Sequence, residues 1–129
     1  MAEGRRYKIL VAEDEANVSA FLHAFLTKEG YEVDIAVDGR EAFRKTNRNH
    51  YDLVSMDLHI PVWDGIDAAV SMDSVSPDIP ILVVSGYLTP DTIEKLKTMP
   101  NVVGWMEKPL NLRRYRDKIK EAIMQYQGK

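Results

Sequence analysis

The strongest constraint on this chain is an alternation. Short apolar segments recur at residues 7–12, 33–37, 53–56, 81–84 and 102–106, most of them rich in β-branched residues and several unbroken. Unbroken apolar runs of this length suit strands buried on both faces, as in a parallel sheet. Between them lie segments with helical spacing. Val18, Phe21, Leu22, Phe25 and Leu26 form one stripe, with Gly30 where a C-terminal cap belongs. Asp38 and Glu41 have capping-box spacing ahead of Ala42 and Phe43. Ile66, Ala69, Val70 and Met72 mark a weaker third helix. Thr89 and Pro90 open a fourth as N-cap and first helical residue, followed by Ile93, Leu96 and Met99. Leu112, Tyr115, Ile119, Ala122, Ile123 and Tyr126 mark a long fifth. A strand–helix unit repeated in this way predicts an α/β fold, a parallel sheet with helices on both faces and right-handed crossovers.

Composition narrows the function. At 129 residues the chain is the size of one domain. Its apolar fraction of 45% is ordinary for a globular protein and argues against disorder. Cysteine is absent, which excludes a disulfide scaffold, a thiolate zinc site and a cysteine nucleophile. A net charge of −3 argues against direct nucleic-acid binding on charge alone. Apolar residues 9–12 are stopped by Glu13, Asp14 and Glu15, so the sequence shows neither a signal peptide nor a membrane span. The expectation is a soluble, cytoplasmic protein without membrane contact.

In open parallel sheets the ligand binds beyond the carboxyl ends of the strands, so the residues that end each strand carry the chemistry. They are Glu13 and Asp14 after the first strand, Asp57 after the third, Ser85 after the fourth and Lys108, followed by Pro109, after the fifth. Asp38 and Gly39, after the second, read better as a cap and turn. Clustered carboxylates repel one another, and a divalent cation relieves that repulsion. Oxygen ligands without His or Cys suit Mg2+. An Asp carboxylate can attack phosphorus to give an acyl phosphate. Lys108 and Ser85 are then suited to the phosphoryl oxygens, since phosphoryl transfer depends mostly on positioning and charge neutralisation.

Other classes fit less well. A haloacid-dehalogenase-type phosphatase needs a second Asp two residues after the nucleophile, where this chain has His59. A flavodoxin-type cofactor carrier needs a phosphate-cradling loop after the first strand, where Glu13, Asp14 and Glu15 repel phosphate.

From about Tyr7 to Tyr126 the chain resembles the receiver domains of two-component response regulators, typified by the single-domain chemotaxis regulator. Four motifs carry the likeness: Glu13-Asp14; Asp57-Leu58-His59-Ile60-Pro61 followed by Trp63-Asp64-Gly65; Ser85-Gly86; and Lys108-Pro109. The intervals between them also agree with that family. The resemblance implies a flavodoxin-like, doubly wound five-stranded sheet in the order 2-1-3-4-5 with five helices. It implies a receiver domain over residues 7–127 behind a short N-terminal extension, 1–6.

The same resemblance implies roles. Asp57 is the phosphoacceptor. Mg2+, for which Mn2+ can substitute, is held by Asp14, Asp57 and the backbone carbonyl of His59, with Glu13 acting on it through water. Ser85 and Lys108 contact the phosphoryl group, and the Lys108–Pro109 peptide is cis. Ser85 and Trp105 form the switch, moving the surface of helix 4, strand 5 and helix 5, where an effector or a second copy binds. The phosphodonor is a sensor histidine kinase or a histidine phosphotransfer protein. Such a domain is a signalling phosphoacceptor, promoting its own phosphorylation and slow dephosphorylation, rather than a turnover enzyme. A degenerate receiver, an interaction module that is never phosphorylated, is the alternative these residues leave open. The chain ends at Lys129, just past the last expected helix, which fits a stand-alone regulator and equally a piece of a hybrid kinase or larger regulator.

Departures from the family pattern are informative. Glu13 stands where Asp is commoner, Ser85 where Thr is, Ile60 where Met is, and Trp105 where Tyr or Phe is. His59 and Tyr87, each two residues past a site residue, are expected to crowd the path of hydrolytic water and set the acyl-phosphate lifetime.

Overall fold

The computed structural model describes residues 6–59, 65–75 and 78–127. Strands and helices alternate through the chain: β1 (Lys8–Ala12), α1 (Ala16–Lys28), β2 (Glu32–Ala36), α2 (Gly39–Arg48), β3 (Leu53–Asp57), α3 (Gly65–Val75), β4 (Ile81–Ser85), α4 (Pro90–Lys97), β5 (Val102–Glu107) and α5 (Leu112–Gln127). The five strands form one sheet in the order β2-β1-β3-β4-β5, every pairing parallel. The fold class and strand order expected above are therefore observed.

The period-two alternation of strand side chains divides the core into two layers. Leu10, Ala12, Val54, Met56, Ile81 and Val83 pack with Ala42, Ala68, Met72 and Leu96 on the side of α2, α3 and α4. Ile9, Val11, Leu53, Leu82 and Val84 pack with Leu22, Leu26, Tyr115, Ile119 and Ile123 on the side of α1 and α5. The central strands β3 and β4 are buried along their whole length, and each large apolar side chain there contributes roughly 1.5–3 kcal/mol.

Helix ends follow their caps. Gly30, at φ 100°, closes α1 in a Schellman arrangement, with Gly30 N donating to Thr27 O at 3.0 Å and Tyr31 N to Leu26 O at 3.1 Å. Asp38 accepts from Glu41 N at 2.7 Å, while Glu41 Oε1 reaches back past the cap to accept from Val37 N at 2.8 Å. Thr89 caps α4 by accepting from Thr92 N at 3.1 Å, with Pro90 in the first turn.

The structure corrects some of the stripes. Phe21 is 55% exposed and Val70 54% exposed, so neither belongs to the core. Among the described side chains of α3, Ala68, Ala69 and Met72 are buried and Ile66 packs half-buried beside them. Met99 is buried but lies beyond the end of α4. Ile60, Pro61, Trp63 and Asp64, and most of the expected N-terminal extension, lie outside the described residues.

Candidate functional site

The carboxyl ends of β1, β3, β4 and β5 share one rim of the sheet because every strand runs in the same direction. Glu13 follows β1 directly and is anchored by its backbone N–H, which donates to Ala36 O of β2 at 2.9 Å. Asp57 is the last residue of β3 and pairs in register with Val84 of β4. Ser85 ends β4, and its carbonyl accepts from Lys108 N at 2.8 Å. That bond holds the loop after β5 against the end of β4. The Lys108–Pro109 peptide that follows is cis.

These placements bring charge together. Single carboxylate oxygens of Glu13, Asp14 and Asp57 lie within 4.8 Å of one another. Glu13 and Asp57 are buried, Asp57 at 8% exposure, while Asp14 faces solvent. Lys108 Nζ inserts between the buried pair, 2.7 Å from Glu13 Oε1 and 3.0 Å from Asp57 Oδ2. The second oxygen of each acid is held by backbone: Glu13 Oε2 accepts from Glu15 N at 3.2 Å and Asp57 Oδ1 from His59 N at 2.9 Å.

Burial pushes the Glu13 carboxyl above its ordinary value, and the Asp57 charge adds to that; the hydrogen bond from Lys108 works against both. Burial also disfavours the Lys108 ammonium, but its bonds to Glu13 and Asp57 outweigh burial and raise it. The three carboxylates offer oxygen donors, which together can hold a hard divalent cation such as Mg2+.

The hydroxyl of Ser85 is fully buried and engaged with its own turn, donating to Tyr87 O at 3.2 Å and accepting from Tyr87 N at 3.3 Å. The Tyr87 side chain is 69% exposed at the rim, and His59 is also exposed. Trp105 pairs in register with Val83 and packs, half-buried, against the layer that contains Leu96 and Met99. An irregularity between Ile81 and Leu82 shifts the β4–β5 register, so that Leu82 meets Gly104 rather than Val103. The shift places Trp105 on the α4 side of the sheet.

One arrangement was not read from the sequence. Beneath the acid cluster the Tyr115 hydroxyl donates to Ser55 Oγ at 2.7 Å, both groups buried. By spacing alone Tyr115 is one member of an apolar helix stripe, and Ser55 a strand residue. The available signal was a lone hydroxyl in the middle of an otherwise apolar strand.

Comparison with known proteins agrees with this geometry. The family model described as the response regulator receiver domain matches residues 9–120. The transcriptional regulatory protein ZraR of Klebsiella oxytoca is 31% identical over 121 residues, which are 93% of this chain and 27% of that protein. The transcriptional regulatory protein PrrA of Mycobacterium tuberculosis is 34% identical over 84 residues, 65% of this chain and 36% of that protein. The chain thus spans only about a quarter to a third of the length of these relatives. Among solved structures, a receiver domain protein from Methanospirillum hungatei superposes with a TM-score of 0.91 at 23% identity, covering 96% of this chain and 98% of that one. The response regulator TrrA of Thermotoga maritima, solved in complex with Mg(2+)-BeF, gives 0.81 at 29% identity over 90% of this chain and 98% of that one. Among the described residues no helix is long and apolar enough to cross a membrane. By its sequence match, strand order and acidic rim, this chain belongs to the response regulator receiver domain family, a family of signalling domains.

Proposed function

We propose that residues 7–127 work as a phosphorylatable receiver whose acceptor is Asp57. The observation that carries this reading is the placement of Lys108 between Glu13 and Asp57, at 2.7 and 3.0 Å, beside Asp14. Buried like charges are costly, and a chain keeps them where the site works with charge.

Asp14, Asp57 and the His59 carbonyl would hold Mg2+ (or Mn2+), and Glu13 would act on it through water. The chemistry it would supply there is neutralisation of charge on the acceptor and on the incoming phosphoryl group. An Asp57 carboxylate oxygen attacks phosphorus in a phosphohistidine of a sensor kinase or phosphotransfer protein. The O–P bond forms as the N–P bond breaks, and the departing imidazole takes up a proton. Lys108, already placed at Asp57 Oδ2, transfers its contact to a phosphoryl oxygen. Ser85 exchanges its bonds within the Tyr87 turn for a bond to another phosphoryl oxygen.

That exchange loosens the turn ahead of α4, and Trp105, on the same side of the sheet, follows. The α4–β5–α5 surface is the output, taken by an effector or a second copy. His59 and Tyr87 stand at the solvent side of the site and regulate the entry of hydrolytic water. The setting is the cytoplasm, where kinase and phosphodonor are found.

The test is incubation with Mg2+ and acetyl phosphate followed by intact mass measurement. A gain of one phosphoryl group, absent without metal and in Asp57→Asn, is the expected result. No gain in the wild-type chain, with Mg2+ binding also absent, would replace this reading with that of an unphosphorylated interaction module.

A further inference from the structure

We infer that Tyr115 and Ser55 form a positioning pair that holds the start of α5, and with it Lys108, in register with Asp57. The inference rests on the phosphoacceptor reading above.

Ser55 sits in the central strand, opposite Val11 of β1 and Leu82 of β4. Both neighbours belong to the apolar layer under α1 and α5. Strand side chains repeat on one face every two residues. The next residues up that face are therefore Glu13 after Val11 and Asp57 after Ser55, one repeat or about 7 Å away. Ser55 thus lies in the layer directly beneath the two acids that Lys108 bridges.

Ser55 is buried in that layer among apolar side chains. Its hydroxyl finds a partner in the helix above, where Tyr115 donates to it at 2.7 Å. The bond is directional, unlike the apolar contacts around it, so it fixes both the rotation and the height of α5 over β3. Tyr115 N donates to Asn111 O at 2.9 Å, which places Tyr115 in the first turns of the helix. Asn111 caps that turn, its Oδ1 accepting from Arg114 N at 3.1 Å. The segment from Lys108 to Tyr115 is thereby tied at both ends, by Lys108 to Glu13 and Asp57 and by Tyr115 to Ser55. On the α1 side the Phe25 ring, 6.4 Å from the Tyr115 ring between centroids, limits its tilt.

Neither Ser55 nor Tyr115 is among the residues proposed above to hold the phosphoryl group or the metal. Loss of the pair should therefore lower the phosphorylation rate, which needs Lys108 in place, without weakening Mg2+ binding. Tyr115→Phe keeps the ring and removes only the hydroxyl. It is expected to slow phosphorylation by acetyl phosphate about tenfold, the scale of a small misplacement of a reacting group. Mg2+ affinity should not fall, and amide exchange at residues 110–116 should quicken in the absence of metal. Ser55→Ala combined with Tyr115→Phe leaves no unpaired hydroxyl, so it should recover thermal stability without recovering the rate.

Three results would overturn the inference: an unchanged rate in Tyr115→Phe, a parallel fall in Mg2+ affinity, or recovery of the rate in the double variant. A wild-type chain that takes no phosphoryl group would instead remove the underlying reading. Unaltered exchange at residues 110–116 in Tyr115→Phe would then separately exclude any hold of the pair on α5.

Discussion

Lys108 donates to Glu13 at 2.7 Å, a closer approach than the 3.0 Å it makes to Asp57. The longer side chain at position 13 is what permits this. Glu reaches one methylene further than Asp from the end of β1, far enough to meet an ammonium that comes from the loop after β5. The acid pocket is thereby held together by a cation of the chain itself.

Lys108→Ala removes that cation and leaves two buried carboxylates facing each other. Breaking a fully buried pair costs several kcal/mol, but the Lys108 side chain is 25% exposed, so a loss of about 1–2 kcal/mol is expected. Mg2+ should narrow the deficit, because carboxylates no longer occupied by Lys108 bind it more tightly than those of the wild type. Thermal unfolding with and without Mg2+ measures both effects. A deficit that Mg2+ does not narrow would show that carboxylate repulsion is not its cause.

Two tyrosines should resist ionisation until the chain unfolds. Burial, with the Glu13 charge adding to it, pushes Tyr115 up to about 12. Burial and a 2.7 Å bond to Asp34 hold Tyr51 higher still. A phenol raised in the folded state contributes stability that is complete below its ordinary 10.0 and fades as pH climbs toward the folded value. Lys108 acts in the same direction, its contribution fading only above 10.5. Tyrosinate absorbance and circular dichroism, followed together up the alkaline range, should show these two phenols titrating with loss of the fold. Tyr115→Phe should flatten the decline in stability between 10.0 and about 12.

Exposed bulk at the rim should govern the lifetime of the acyl phosphate. Tyr87 is 69% exposed, and His59 faces solvent beside Asp57. With His59→Gly and Tyr87→Ala together, hydrolysis is expected to be about tenfold faster, a barrier change of about 1.4 kcal/mol. Decay of the phosphorylated mass after donor removal gives the rate. Equal lifetimes in variant and wild type would show that neither side chain controls water.

Gly30→Ala tests a purely torsional cost. The residue sits at φ 100° and a Cβ there would meet nothing within 4 Å. With no steric clash, the expected loss is the left-handed penalty of about 1–2 kcal/mol. Urea unfolding should show a lower midpoint with an unchanged slope.

Much of this molecule was legible in the sequence because local rules decide it. Unbroken runs such as 81–84 must be buried on both faces, so they read as parallel strands. Asp38 with Glu41, Thr89 with Pro90, and Gly30 each announce a helix end through their own hydrogen-bonding and torsional limits. Strand direction then places Glu13, Asp14, Asp57, Ser85 and Lys108 on one rim before any distance is known.

What stayed hidden depends on which surfaces meet. Phe21 and Val70 carry helical spacing like their buried neighbours, yet face outward, because only the packed partner selects the inner part of a stripe. The side of the sheet taken by Trp105 follows from a register shift between β4 and β5 that no residue type announces. The bonds from Tyr115 to Ser55 and from Lys108 to Glu13 join residues 60 and 95 positions apart. The sequence by itself determined the elements, their ends and the chemistry along the rim, since those obey period, cap and side-chain type over a few residues. Only the tertiary structure decided which charge meets which and which hydroxyl finds a partner, since buried polar groups are satisfied by whatever distant segment the packing brings to them.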